Sequence, residues 1–154
     1  MRSFTRLLLA LAVLSALTSS VGVAAAASTS AEEQLAALVN AERTKRGLRP
    51  LSVDTELGDV ASHRSDAMVS RSKACPHGLA HAPGYEEAVP PGWMRVGENV
   101  GCGGSVAAVH QALMGSPTHR DNILGDFEEI GIGVETDGRG SVWITELFAT
   151  YPVT

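Results

Sequence analysis

Residues 141–150 constrain this chain more than any other stretch. Val142, Ile144, Glu146 and Phe148 alternate with Trp143, Thr145, Leu147 and Ala149. As a strand, the segment has two faces, and both are largely apolar. A strand that is apolar on both sides must be covered on both sides. Just before it, residues 127–136 carry the alternation Ile130-Gly131-Ile132-Gly133-Val134. Asp137-Gly138, lengthened by Arg139-Gly140, is a hairpin turn signal between the two runs. A doubly covered hairpin predicts an α+β protein: a three-layer α-β-α sandwich around a small, mainly antiparallel sheet.

The covering helices lie upstream. Ser28-Thr29-Ser30 ahead of Ala31-Glu32-Glu33 is a capped helix start. Leu35, Leu38, Val39 and Glu42 share one face of that helix, and Gly47 and Pro50 end it. Asp54 caps a second helix with Leu57, Val60, Ala61, Arg64 and Met68 inward and Asp59, Ser62, His63 and Asp66 outward. Ser105 opens a third, with Val106, Val109, His110 and Leu113 on one side and Gly115 at its end. Ser116 and Pro117 open a short fourth, closed by Gly125. Residues 70–94 are irregular and rich in Pro and Gly, followed by a short strand at 95–100. A loop that long in a small domain is functional or pinned, and Cys75 is placed to pin it. No internal repeat and no linker divides the chain.

Residues 1–27 read as an address rather than structure. Arg2 and Arg6 precede the apolar run 7–17, and Ala24 to Ala27 supply small residues for cleavage. This is the layout of a secretory signal peptide, and the run is too short for a good membrane span. The expected product is a secreted, extracellular protein of one domain, residues 28–154, with no stable membrane span after cleavage and a monomeric state. Cleavage removes two of the 12 Lys and Arg and none of the 17 Asp and Glu, so the remaining ten and 17 give a net charge of −7. That balance argues against nucleic acid and anionic membranes as partners. Cys75 and Cys102 both lie in the exported part, where an even pair forms a disulfide. Closing a loop of about 27 residues contributes roughly 3–4 kcal/mol in the chain-entropy account. A pair of thiolate metal ligands is the alternative, without CxxC spacing to support it.

Chemistry concentrates in two segments. Gly97-Glu98-Asn99-Val100 carries a carboxylate, and Ser116-Pro117-Thr118-His119-Arg120-Asp121-Asn122-Ile123-Leu124 carries an imidazole. His81 lies upstream in the irregular loop. Two imidazoles and a carboxylate from three elements are the raw material of a metal site or an acid/base site. Plainer readings stand beside this one. Glu98 can be a structural acceptor beside Asn99. Ser116 reads as a helix cap before Pro117 rather than a nucleophile. His63 faces solvent, and His110 reads as a packed, hydrogen-bonded histidine. His77, in Cys75-Pro76-His77-Gly78, is the rival to His81.

In order and spacing, these pieces resemble the CAP superfamily of cysteine-rich secretory proteins, antigen 5 and pathogenesis-related proteins. The closer likeness is to its short secreted bacterial (SCP-like) members. The residues that carry it are Leu38-Val39-Asn40-Ala41-Glu42-Arg43, Gly47-Leu48, Leu51, Asp66-Ala67-Met68, Ala80-His81 and Gly92-Trp93. Gly97 to Val100, Ser116 to Arg120, Asn122 to Leu124, Ile130 to Gly133 and Trp143 to Phe148 complete it. The resemblance implies an α-β-α sandwich with a cleft lined by two His and two acids. Carried over by position, His81, Glu98 and His119 are three of the four. The fourth acid is absent, since Gly115 or Ser116 stands in its place, and Leu113 replaces the usual tryptophan. Glu146 is the one substitute within reach of the strands. The resemblance implies ligand or metal binding in that cleft, with His81 and His119 as donors to zinc or another divalent cation and a small molecule or lipid as partner. A secreted hydrolase using Glu98 and a His-bound metal or water is the alternative. A structural or host-interaction module with a vestigial cleft is a third.

Overall fold

The computed structural model describes residues 29–72 and 74–152, so the signal-peptide reading of residues 1–27 lies outside the described residues. In chain order the elements are α1 (Ala31–Thr44), β1 (Ser52–Val53), α2 (Thr55–Arg71), a single 3₁₀ turn (Tyr85–Glu87), β2 (Arg95–Gly103), α3 (Val106–Gly115), α4 (Pro117–Ile123), β3 (Glu129–Thr136) and β4 (Val142–Thr150). The four strands form one sheet in the order β1-β3-β4-β2. β4 pairs antiparallel with β2 and β3, while β1 runs parallel to β3. The sheet is therefore mixed but mostly antiparallel, as the alternation along β3 and β4 predicts.

Alternation sorts the side chains into two layers. Ile130, Ile132, Ile144 and Phe148 face a core with Leu35 and Val39 of α1, Val106, Val109 and Leu113 of α3, and Ile123 of α4. Leu147 and Ala149 face Leu57 and Ala61 of α2, and Trp143 and Val100 face Met68 further along the same helix. α2 thus covers one face, and α1, α3 and α4 cover the other. Gly131 and Gly133 lie on the α2 side, where an added Cβ would fall 2.2 Å from the backbone of Leu57 and 2.3 Å from that of Ala61. The glycines in the β3 alternation are thus the seat of a helix.

Caps act where the sequence puts them, with one exception. Ser30 and Glu33 form a reciprocal capping box on α1, and the Asp54 and Ser105 side chains accept from the Leu57 and Ala108 N–H groups. Ser116 occupies the cap position of α4, but its side chain makes no capping bond.

Four further expectations need correction. The inner face of α1 buries Arg43 rather than Glu42: the guanidinium donates to the carbonyls of Arg49, Ile123 and Gly125, at 2.8–2.9 Å. It thereby closes the C-terminal end of α4, whose carbonyls have no partner within the helix. α2 also buries Ser65, whose hydroxyl donates to the Gly133 carbonyl. β2 runs to Gly103 rather than ending at Val100, because Gly101 and Gly103 let the strand pass close beneath Val109. His110 is packed as expected, but its Nδ1 has no hydrogen-bond partner among the described residues.

Candidate functional site

β2 is an edge strand, and it brings the polar residues together. Neighbouring strand residues point to opposite faces, so Glu98 and Asn99 take opposite sides of the sheet. Glu98 turns toward α2, and its side chain is closed to solvent. Arg64 of α2 donates from Nε to Glu98 Oε2 at 3.1 Å, and His81 Nδ1 lies 2.9 Å from Glu98 Oε1. A carboxylate only accepts, so the proton on that bond belongs to His81 Nδ1, and Nε2 keeps the free lone pair. Arg64 also donates from Nη2 to the Ala80 carbonyl at 3.3 Å. A single guanidinium therefore fixes both the carboxylate and the loop that carries the imidazole.

Asn99 does the parallel task on the other side. Its Nδ2 donates to the carbonyl of His119 at 3.0 Å and to Glu146 Oε2 at 2.9 Å. Its Oδ1 accepts from Asn122 Nδ2, which also donates to the Glu98 carbonyl. Asn99 and Asn122 thus bind α4 to the strand edge, and α4 carries His119 around that edge toward His81. The two rings stack with centroids 6.1 Å apart and planes 24° apart. His81, Glu98 and His119 therefore occupy one site, with His81 on the outside and half exposed.

Burial, and after it repulsion from the neighbouring His81 ring whenever that ring is protonated, holds the His119 imidazole below the usual histidine range. Its ring is neutral at pH 7, the form that binds a metal. Tyr85, in the 3₁₀ turn, is pushed up by burial and then by the charges of Glu86 and Glu98. That places its phenol in the field of the Glu98 carboxylate.

The loop is pinned as expected. Cys75 and Cys102 form a disulfide with a Cα–Cα distance of 5.9 Å, tying the loop to the end of β2. His77 pairs with Ala74 in the short bridge beside that disulfide, and its carbonyl accepts from the Ser72 hydroxyl. His81 is the imidazole bonded to Glu98. His63 is exposed on the outer face of α2. Glu146 does not replace the missing acid. It points to the face opposite Glu98 and is closed to solvent, so it offers nothing to the exposed rings.

The donor set limits what a metal could do here. His81 Nε2 and a His119 ring nitrogen are two donors, and Glu98 has each oxygen already bonded. Among the described residues no cluster of three His, Cys, Asp or Glu is placed to hold an ion. Zinc sites in proteins take three or four protein ligands, so two imidazole donors fall short of a structural zinc site. Two hollows lie away from the histidines. One is lined by Arg43, Pro50, Asp126 and Phe127, and another lies between α1 and α2, with Glu33, Asp54 and Asp59 in its wall.

Arg64, Asn99 and Asn122 were not singled out in the sequence as site residues. Arg64 gave a signal: an arginine within an otherwise apolar helical stripe needs a buried partner. Asn99 and Asn122 gave none, since a polar residue beside a strand or in a short helix is ordinarily solvated.

Residues 36–149 match the family described as "Cysteine-rich secretory protein family", CAP. A Bacillus subtilis (strain 168) protein, YkwD, described as uncharacterized, is 33% identical over 117 residues, which are 73% of this chain and 44% of that protein. The chain thus spans less than half of this curated relative. Among solved structures, an extracellular protein containing a SCP domain from Bacillus anthracis str. Ames is 25% identical. It aligns over 77% of this chain and 39% of its own, with a TM-score of 0.62. An outer surface protein from Borrelia burgdorferi is 17% identical over 78% of this chain and 92% of its own, with a TM-score of 0.64, a likeness of fold alone.

Proposed function

This chain belongs to the cysteine-rich secretory protein (CAP) family, and from that premise we propose that it is an exported binding protein. Its ligand is held at the paired imidazoles of His81 and His119. The single observation that carries this reading is the state of Glu98. Its side chain is sealed from solvent, with one oxygen bonded to Arg64 and the other to His81. A general base must reach the proton it removes, and this carboxylate faces its own protein. Its work is to orient His81 and leave Nε2 directed at a ligand, the role of an outer carboxylate behind a ligating histidine.

His81 Nε2 and His119 would together hold a divalent cation such as zinc, with the remaining positions left to water or to a ligand. When bound, the cation would supply positive charge for an anionic or carbonyl-bearing small molecule. A hydrolase reading would need Glu98 free, or a second acid beside the rings, and neither is supported by the contacts above. Export fits the basic and apolar start of the chain, the disulfide, and relatives described as extracellular or outer-surface proteins. No helix among the described residues is long and apolar enough to cross a membrane.

Calorimetric zinc titration tests the reading. Wild type is expected to bind weakly at one site, and His81→Ala with His119→Ala to bind at least tenfold more weakly. Glu98→Gln is expected to lose about 10–100-fold through misorientation of His81. Equal affinity in wild type and the double variant would sink the assignment.

A further inference from the structure

Glu146 is a buried carboxyl that the proposed binding site does not use. It sits in the middle of β4, paired in register with Asn99 on one side and Ile132 on the other. Its side chain is closed to solvent. Oε2 accepts from Asn99, and Oε1 has no partner among the described residues. A buried polar atom without a partner costs about 1–3 kcal/mol, so its retention in the centre of a core calls for a reason.

We propose that Glu146 is a positioning residue for the cleft: through the Asn99 amide it fixes the carbonyl of His119, and with it the seat of α4. The chain of bonds is continuous. Glu146 Oε2 accepts from Asn99 Nδ2, the same nitrogen donates to the His119 carbonyl, and Asn99 Oδ1 accepts from Asn122 of α4. The Asn99 amide is held at both ends, so its orientation depends on the acceptor behind it. Without Glu146, the amide nitrogen loses one of its two acceptors, and only the His119 carbonyl and Asn122 still hold it.

The same geometry makes the seat depend on a proton. One N–H donor is too little for an ionised carboxylate in an apolar core. Burial accordingly pushes Glu146 up to about 7, against a smaller opposing effect of the Asn99 bond. The charged groups on the covering elements do not offset this. Arg43 on α1 spends its donors on carbonyls, and neither His110 on α3 nor His119 on α4 contributes to the proton affinity of Glu146. Below neutral pH the carboxyl is uncharged and the network is closed. Above it, a bare charge lies beneath α4, and water entry under this seven-residue helix is the cheapest relief. His119 then loses its fixed approach to His81.

The value of this to a ligand rests on the cleft reading above, but its test does not, because it needs neither zinc nor any ligand. Hydrogen exchange is followed by NMR on the full exported chain at pH 5.5 and pH 8.5, with exchange rates corrected for intrinsic base catalysis. Wild type is expected to lose at least tenfold protection at the Arg120 amide of α4 and the Leu124 amide that caps its end at the higher pH, while the Val109 amide of α3 is unchanged. Glu146→Gln keeps the acceptor and removes the titration, so its α4 protection should match that of wild type at pH 5.5 under both conditions. Glu146→Ala should be open at both; if it fails to fold, the Gln variant still decides. A Gln variant with the wild-type pH response, or a loss of protection shared equally by α3 and α4, would overturn the proposal.

Discussion

The middle of the sheet and its β2 edge are held by different chemistry. Where α2 crosses β3, helix backbone lies directly on Gly131 and Gly133, and Ser65 Oγ donates to the Gly133 carbonyl at 2.9 Å. At the edge, order comes from Arg64, Glu98 and His81 on one face and from Asn99, Asn122 and Glu146 on the other. Close packing admits one arrangement and is indifferent to pH. Polar networks have partners that protons, ions and water can replace. The molecule thus joins a fixed frame to a conditional rim, and the histidines are on the rim.

The largest test of this contrast is in the frame. Gly131→Ala with Gly133→Ala sets two methyl groups into helix backbone, and overpacking costs about 3 kcal/mol or more at each such site. Loss of about 6 kcal/mol, or no folded protein, is expected on urea denaturation. A double variant within about 1 kcal/mol of wild type would mean that α2 can lift, and the contrast would fail.

Next comes the guanidinium of the rim. Arg64→Ala strands the buried Glu98 carboxylate, and removing one partner of a buried pair costs about 3–5 kcal/mol. Arg64→Lys should recover only part of this, since an ammonium cannot reach Glu98 and the Ala80 carbonyl from one planar fork. Full recovery by lysine would make the contact a simple charge pair. After it stands the tether. Cys75→Ser with Cys102→Ser should lose about 3–4 kcal/mol in the chain-entropy account and disorder the His81 ring signals, while amides around Gly133 stay protected. Loss of protection in both regions would tie rim and frame into one unit.

The contrast also explains what the sequence could convey. The frame was legible because packing leaves a periodic trace: apolar alternation in β4, glycines alternating with isoleucines in β3, and stripes on the helices. Even the cap positions could be read. His81, Glu98 and His119 were legible only because a resemblance aligned them, and the disulfide because export pairs cysteines. The Asn99–Glu146–His119 carbonyl chain left no trace, since it joins β2, β4 and α4 across long separations with ordinary polar residues. Arg43 was hidden for the same reason: its partners are backbone carbonyls, which every residue has.

Proton linkage should separate the regions by a smaller amount. Glu146 is raised from 4.5 to about 7 in the fold, so its contribution is fully present below pH 4.5 and is lost as pH rises to about 7. At about 1.4 kcal/mol per pH unit, the loss is up to about 3 kcal/mol. His110 and His119 are lowered from 6.5; folding favours their neutral forms, so stability falls as pH drops below 6.5. The two limbs oppose each other, and thermal stability should peak on the acid side of neutrality. Glu146→Gln should flatten the alkaline limb alone. If the limb survives in that variant, its source is another group.

His81→Ala carries the smallest expected change and the sharpest meaning. The ring makes one side-chain bond, to Glu98 Oε1, and its side chain is 52% exposed. Its removal lets water reach that oxygen, so the carboxylate exchanges one donor for another and keeps Arg64. The expected cost is about 1 kcal/mol or less, with zinc binding weakened toward that of the double variant. That pairing of small and large effects is what a functional group on a rim should give, because its energy is directed outward at a ligand rather than inward at the fold. A loss above about 2 kcal/mol would place the ring with the structural groups, and the bond to Glu98 would then exist to close the loop rather than to aim Nε2.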